Sequence, residues 1–291
     1  MGLPARLSRG SRSAREGVFR DALGGALGGA LGGAPGGALG GALEGVLELA
    51  VPRACLVCSA GMGSRDRGLV CGACWSRLPM LPKPWCARCG HPLHLEPSAA
   101  ATDLGECPVC RLLDPRCSRA RSVCWVPHAQ STPLLAALKY QGWWGMADGM
   151  AERMVRCGGG LLDGIAAPCF VPVPLAAARL RERGFNQSAH LAAALARRTG
   201  GTVLDDVLVR VRTTESQTQL TPAERRANVH DAFAAPAQRR VAIRGRTLVL
   251  VDDVLTTGAT LNACAVALLD GGASDIRYWT FGRARSDADR P

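Results

Sequence analysis

The chain has 291 residues, which is too long for one zinc module and suits one α/β domain with additional segments. Hydrophobic residues make up 47% and charged residues 20%, so the composition excludes a chain that is disordered throughout. The net charge of +11 weakly favours anionic partners such as phosphates or nucleic acid. Lys83 and Lys139 are the only lysines, and such an arginine bias is also typical of a GC-rich genome.

The first 50 residues differ in composition from the rest of the chain. Residues 22–43 repeat a four-residue unit of the ALGG type, with Pro35 in the middle. Gly-Gly pairs disfavour a helix, and a membrane span needs about 20 strongly apolar residues. We therefore expect a disordered, low-complexity extension over 1–50, with no membrane span and no secretory signal. We accordingly expect the protein to lie in the cytoplasm. Cysteines stay reduced in that compartment, which favours metal binding over disulfides.

Four CxxC pairs follow in the next segment. Two such knuckles supply the four thiolates of a tetrahedral zinc site, so the eight cysteines predict two structural zinc ions. The spacing leaves open whether the knuckles pair in chain order or interleave, and redox pairs or disulfide loops are the alternative. The predicted ligands are Cys55, Cys58, Cys71, Cys74, Cys86, Cys89, Cys107 and Cys110.

A short strand over 170–174 is predicted next, followed by a basic segment and a helix over about 188–198. The arginines of the basic segment could bind pyrophosphate or form a solvated loop. They are Arg179, Arg181 and Arg183, directly before Gly184.

Another strand is predicted over 207–211, and residues 212–233 are polar and long for a loop. A helix start is predicted near Pro222, because a Thr precedes it and a Glu follows at capping-box spacing. The polar part before it is predicted to be a mobile lid over a site, or a disordered surface loop.

The stretch over 247–260 carries the most specific signal, an apolar strand over 248–251 followed by Asp252, Asp253, a Thr/Gly loop and a helix. Ligands of parallel sheets bind at the C-terminal ends of strands, and amides at a helix start bind phosphate. Two acids would repel that phosphate unless sugar hydroxyls or Mg²⁺ lay between them. The stretch therefore predicts a ribose 5-phosphate site, with the acids on the ribose hydroxyls. The predicted phosphate contacts are Thr256, Thr257, Gly258, Ala259 and Thr260.

Together these motifs resemble the ComF family. The resemblance runs from about Val51 to Arg285 and rests on the CxxC knuckles, LKYQG, VPVP, RERGFNQ and VDDVLTTGAT. It implies an α/β fold, a type I phosphoribosyltransferase-like parallel sheet flanked by helices, preceded by a small double zinc ribbon. The expected domains are the ribbon over 51–118, the phosphoribosyltransferase-like domain over 119–285, and a tail over 286–291.

The resemblance also implies a site and a function. It places a phosphoribosyl pyrophosphate (PRPP) motif on Val251 to Thr260, in which Asp252 and Asp253 would be catalytic and would hold ribose hydroxyls and Mg²⁺. The candidates for a pyrophosphate loop are Pro174, Arg179, Arg183 and Gly184. The expected protein is a phosphoribosyltransferase that binds PRPP or another ribose 5-phosphate compound with Mg²⁺, with an unassigned acceptor. It would serve DNA uptake or nucleotide metabolism.

Two other functions stay open at this point. The first is a non-enzymatic protein that binds single-stranded DNA, or DNA-uptake proteins, through its zinc ribbons and arginine-rich surface. The tryptophans that could support it are Trp75, Trp85, Trp125, Trp143 and Trp144. The second is a nucleotide-binding module without turnover.

Overall fold

The computed structural model describes residues 53–63, 66, 68–93, 107, 109–140, 145–212 and 231–285. The predicted extension, the predicted lid with its helix start, and the tail lie outside these residues. Among the helices that are described, none combines the length and the apolar character needed to cross a membrane.

A parallel sheet lies at the centre of the described residues. Its strands run in the order β1-β8-β7-β3-β4, and β2 pairs with β8 on the same side as β1. A separate antiparallel pair is formed by β5 and β6. The bounds are β1 Cys117–Arg121, β2 Cys124–Val126, β3 Cys169–Pro172, β4 Thr202–Val203, β5 Val209–Arg210, β6 Phe233–Ala234, β7 Thr247–Leu255 and β8 Asp275–Ala284.

Helices cover both faces of this sheet, which confirms the α/β class predicted from the sequence. Their bounds are α1 Gly72–Ser76, α2 Ser131–Tyr140, α3 Gly145–Cys157, α4 Ala177–Arg183, α5 Gln187–Thr199 and α6 Ala259–Asp270, with 3₁₀ turns at Cys110–Leu112 and Ala237–Ala242. The basic segment after β3 is helical in α4, whereas the sequence predicted a loop. Strand β7 runs four residues beyond the predicted 248–251, because Val254 and Leu255 still pair with β8.

Strand β7 is apolar over residues 248–251, where both of its faces are covered. Leu248 and Leu250 pack on the side of α6, and Val249 and Val251 pack on the side of α5. All four are fully buried, and each such side chain contributes about 1.5–3 kcal/mol of hydrophobic free energy. The sheet therefore fixes the position of the polar residues that follow on β7.

The strand order reverses between β3 and β7. The chain leaves β3 through α4 and α5 to reach β4 on one side, and leaves β7 through α6 to reach β8 on the other side. Connections that diverge in this way open a crevice at the C-terminal ends of the two strands, where ligands of such sheets bind. Both segments predicted to bind phosphate groups begin at this crevice.

Candidate functional site

Two acids stand side by side at the C-terminal half of β7, and each has its own polar partner. The Ser188 hydroxyl at the start of α5 donates to Asp252 Oδ1 at 2.8 Å, and the Asp253 amide donates to the same oxygen at 2.9 Å. Asp253 is only 5% exposed, and its Oδ2 forms an ion pair with Lys139 Nζ from α2. The acid pair thus joins β7 to α5 and α2.

Ionisation of Asp252 beside Asp253 is unfavourable in the free protein. Burial, and then the neighbouring charge of Asp253, raises the pKa of Asp252 to about 8, although the Ser188 hydrogen bond opposes the shift. A ligand that brings hydroxyl donors or positive charge to this place would favour the ionised form of Asp252 and restore the negative charge of the pair.

Replacement of Asp252 by Asn should therefore stabilise the ligand-free protein at alkaline pH. An Asn Oδ1 can accept both hydrogen bonds that Asp252 Oδ1 accepts. Because the pKa of Asp252 is raised in the folded state, the protonated carboxyl contributes to folding stability at low pH. The wild type loses this stability as the pH rises from about 4 through about 8. Melting curves without Mg²⁺ should show a Tm advantage of Asp252→Asn that widens from about pH 5 to about pH 8. A pH-independent difference would contradict the assignment.

The predicted phosphate loop lies directly after β7. Thr256 is exposed, Thr257 is half-buried, and Gly258 adopts a left-handed conformation with φ 76° before α6 begins. No side chain accepts a capping hydrogen bond at this helix start. Within the described part of the chain, the Ala259 amide makes only a long contact of 3.5 Å, with Thr257 Oγ1. First-turn amides and the helix dipole favour an anion at this place.

The residues predicted for the pyrophosphate loop lie on the other side of the crevice. Pro174 follows β3 and is half-buried, and Arg179 is exposed on α4. Arg183 ends α4, next to Gly184 in a left-handed conformation with φ 75°. Its guanidinium lies 4.7 Å from the Tyr140 ring centroid and donates to the Tyr140 hydroxyl at 3.2 Å.

A ring of contacts at the crevice links Arg183 with the acid pair. Arg183 donates to Gln187 Oε1 at 3.0 Å, and Ser188, the next residue, donates to Asp252. The ring returns through Asp253 and Lys139 to Tyr140. The structure therefore brings Arg183 and the acid pair into one network. The sequence pattern predicted no role in the site for Lys139, Tyr140, Gln187 or Ser188.

The eight cysteines form two groups in chain order, which resolves the pairing that the spacing left open. Within each group the sulfur atoms lie within 4.8 Å of one another. Three of the sulfur pairs, Cys58–Cys71, Cys86–Cys110 and Cys89–Cys107, are separated by 3.5–3.8 Å, close to the edge of about 3.8 Å for a tetrahedron with Zn–S bonds of about 2.3 Å. Both groups therefore fit a four-thiolate zinc ion. The groups are centre 1 (Cys55, Cys58, Cys71, Cys74) and centre 2 (Cys86, Cys89, Cys107, Cys110).

Centre 2 contacts the start of α6. Cys110 begins the 3₁₀ turn that ends at Leu112, and the Leu112 carbonyl accepts from Asn262 Nδ2 at 2.8 Å. Asn262 Oδ1 accepts from the Asp114 amide at 2.9 Å and from the Tyr278 hydroxyl at 3.1 Å. A Cβ placed on Gly258 would lie 2.8 Å from the Leu112 carbonyl oxygen. The segment after the last zinc ligand therefore packs against the phosphate loop.

The described tryptophans that could stack on nucleic acid bases already have neighbours. Trp125 is buried, the Trp75 ring lies 3.8 Å from the Arg153 guanidinium carbon, and the Trp85 ring lies 5.0 Å from Lys83 Nζ. Trp143 and Trp144 lie outside the described residues. The packing of Trp75 and Trp125 leaves little support for a stacking surface at these two positions.

Comparisons with known proteins match two regions of the chain. A double zinc ribbon domain matches residues 46–119 and a phosphoribosyl transferase domain matches residues 176–291. The chain is 30% identical over 245 residues to the DNA utilization protein YhgH of Salmonella typhimurium, covering 81% of this chain and 99% of that protein. It is 36% identical over 114 residues to Competence protein F of Haemophilus influenzae, covering 39% of this chain and 49% of that protein.

A solved structure with a similar region is the glutamine PRPP amidotransferase from B. subtilis complexed with ADP and GMP. It is 19% identical with a TM-score of 0.32, and the similarity covers 49% of this chain and 30% of that chain. Both cysteine groups lie within the region that matches the double zinc ribbon domain. The relative from Salmonella typhimurium is matched over nearly its whole length. The chain therefore belongs to the ComF family, in which a double zinc ribbon that holds zinc precedes a phosphoribosyltransferase domain.

Proposed function

We propose that the protein binds PRPP, or another ribose 5-phosphate compound, with Mg²⁺ in the crevice between β3 and β7. The observation that carries this proposal is the position of an acid pair and an uncapped helix start at the end of one strand, where the strand order reverses. A ribose 5-phosphate has hydroxyls for the acids and a phosphate for the helix start.

Each group of the ligand has a candidate partner. Asp252 and Asp253 hold the ribose hydroxyls, the amides and hydroxyls from Thr256 to Thr260 hold the 5-phosphate, and Arg183 binds the diphosphate. Carboxylate oxygens are hard ligands that suit Mg²⁺, so the acid pair fits a ligand-borne cation. When bound, that cation would neutralise negative charge on the diphosphate.

The reaction that these residues suit is phosphoribosyl transfer. The bond between C1 of the ribose and the diphosphate oxygen breaks, the electron pair leaves with the diphosphate, and the acceptor forms a new bond to C1. Negative charge on the acid pair stabilises the positive charge that develops on the sugar, and Arg183 stabilises the leaving anion. The acceptor is unassigned, so we propose the reaction class and the donor.

Calorimetry of PRPP with Mg²⁺ tests this proposal. Asp252→Asn keeps both hydrogen bonds to its Oδ1 but cannot ionise when the ligand-borne cation arrives, so we expect PRPP affinity to fall about 100-fold, as for the loss of a charge-assisted contact. Asp148→Asn is the control, because the Asp148 side chain on α3 is half-buried and pairs with Arg197 at 2.8 Å. Equal affinity in Asp252→Asn and the wild type would reject the site.

A second candidate function comes from the relatives, whose names refer to DNA utilization and competence. On this proposal the protein acts in the cytoplasm on single-stranded DNA or with DNA-uptake proteins, and the excess of basic residues supplies phosphate contacts. A wild type that fails to bind PRPP but binds single-stranded DNA, with affinity that falls as salt rises, would favour this candidate. No affinity for DNA at low salt would remove it.

A further inference from the structure

Lys139 is a cation that the protein itself places on the acid pair. It lies in the last turn of α2, and its side chain is 25% exposed, whereas the Asp253 side chain is 8% exposed. A buried carboxylate needs a partner, because an uncompensated buried charge is strongly destabilising. In the free protein Lys139 is that partner.

A ligand at the acid pair would have to replace this contact. Ribose hydroxyls or a divalent cation at Asp253 would compete with the Lys139 ammonium for the same carboxylate. A bare cation offers Lys139 only repulsion, whereas a ligand that carries diphosphate offers it new negative partners. The arrangement therefore discriminates between a free cation and a cation that arrives with an anion.

We propose that Lys139 is a ligand-contacting residue that exchanges partners, from Asp253 in the free protein to the diphosphate oxygens in the complex. This proposal rests on the proposed function and assigns a role that the motif of acids and threonines does not include. Tyr140, the next residue, contacts Arg183, so the end of α2 lies beside the predicted diphosphate-binding arginine. Lysine suits an exchange of partners because its ammonium is a compact charge on a flexible stem.

The proposal predicts two effects of opposite sign for Lys139→Met. Mn²⁺ alone, measured by electron paramagnetic resonance as a probe for Mg²⁺, should bind about tenfold more tightly, because its competitor at Asp253 is gone. PRPP with Mg²⁺, measured by calorimetry, should bind about tenfold more weakly, because a charged contact to diphosphate is lost. A purely structural role for Lys139 would weaken both.

Two further variants make the comparison specific. Lys139→Arg keeps the charge and should restore most of the exclusion of free Mn²⁺. Lys83→Met removes the only other lysine, which lies beside Trp85, and should change neither affinity. Weaker binding of both probes by Lys139→Met, or no change in either, would overturn the proposal.

The wild type gives an independent answer if Lys139→Met does not fold. Because the chain has two lysines, ¹⁵N-labelled lysine gives two side-chain signals that Lys83→Met assigns. Addition of PRPP with Mg²⁺ should shift the Lys139 signal and leave the Lys83 signal in place. If PRPP binds and the Lys139 signal does not move, the partner exchange is wrong while the proposed function stands. If PRPP does not bind, the proposed function fails and this inference fails with it.

Discussion

Replacement of Cys110 by Ala is expected to release one of the two zinc ions and, with it, to loosen the phosphate loop at 256–258. Structural zinc contributes about 10–16 kcal/mol of binding free energy, so loss of a ligand should unfold the centre 2 segment. The Leu112 carbonyl, which follows Cys110 in the same 3₁₀ turn, would then leave Asn262 and Gly258. Metal analysis should give about one zinc per chain, and amide exchange should become faster over 256–262.

Two controls separate the effect of losing zinc from the effect of losing the contact between Leu112 and Asn262 on α6. Cys58→Ala disrupts centre 1, whose buried cysteines pack on the opposite face of the sheet, and should leave exchange over 256–262 close to that of the wild type. Asn262→Ala should keep both zinc ions and still accelerate exchange at the loop, because it removes the bond to Leu112. If Cys58→Ala and Cys110→Ala accelerated exchange in the loop equally, the effect of zinc loss would not depend on the Leu112–Asn262 contact.

Replacement of Gly258 by Ala is expected to destabilise the fold and to weaken phosphate binding together. The left-handed conformation at φ 76° costs a non-glycine residue about 1–2 kcal/mol. The added Cβ would also lie 2.8 Å from the Leu112 carbonyl oxygen, a backbone atom that cannot turn away as a side chain can. The loop would have to move, and its amides would move with it.

Gly200→Ala is the matched control for this variant. Gly200 ends α5 with φ 70°, and nothing lies within 4 Å of its added Cβ, so it shows the conformational cost without the clash. Urea denaturation should find Gly258→Ala less stable than Gly200→Ala by at least about 1 kcal/mol. Calorimetry should find weaker PRPP binding only in Gly258→Ala. Equal free energies of unfolding would show that the Leu112 contact relaxes without strain.

The parts of the site that lie close together in the chain could be predicted from the sequence. A buried strand, two acids and a helix start follow one another within 247–260, so local pattern and the geometry of parallel sheets suffice to place them. The cysteine spacing is likewise local, and it predicts four-thiolate sites. The sequence did not predict the end of β7 correctly, because pairing with β8 extends the strand past its apolar run.

The contacts between distant segments could not be predicted in this way. Lys139 meets Asp253, and Leu112 meets Asn262 across 150 positions of the chain, only because the sheet brings their elements together. A signal for Lys139 lay in the LKYQG segment, which is one of the motifs that carry the family resemblance. Ser188 has no comparable signal.

Two buried arginines of the sheet bear on how the chain can be divided. Arg283 donates to the Cys89 carbonyl at 2.7 Å, and Arg121 donates to the Ala87 carbonyl at 2.9 Å, so both guanidinium groups bind the backbone of a zinc knuckle. A fragment that began after the knuckles would lack the Cys89 and Ala87 carbonyls as acceptors and would expose two guanidinium groups that are buried in the whole chain. The knuckle therefore covers part of the sheet, and its removal would change the solvent exposure of Arg121 and Arg283.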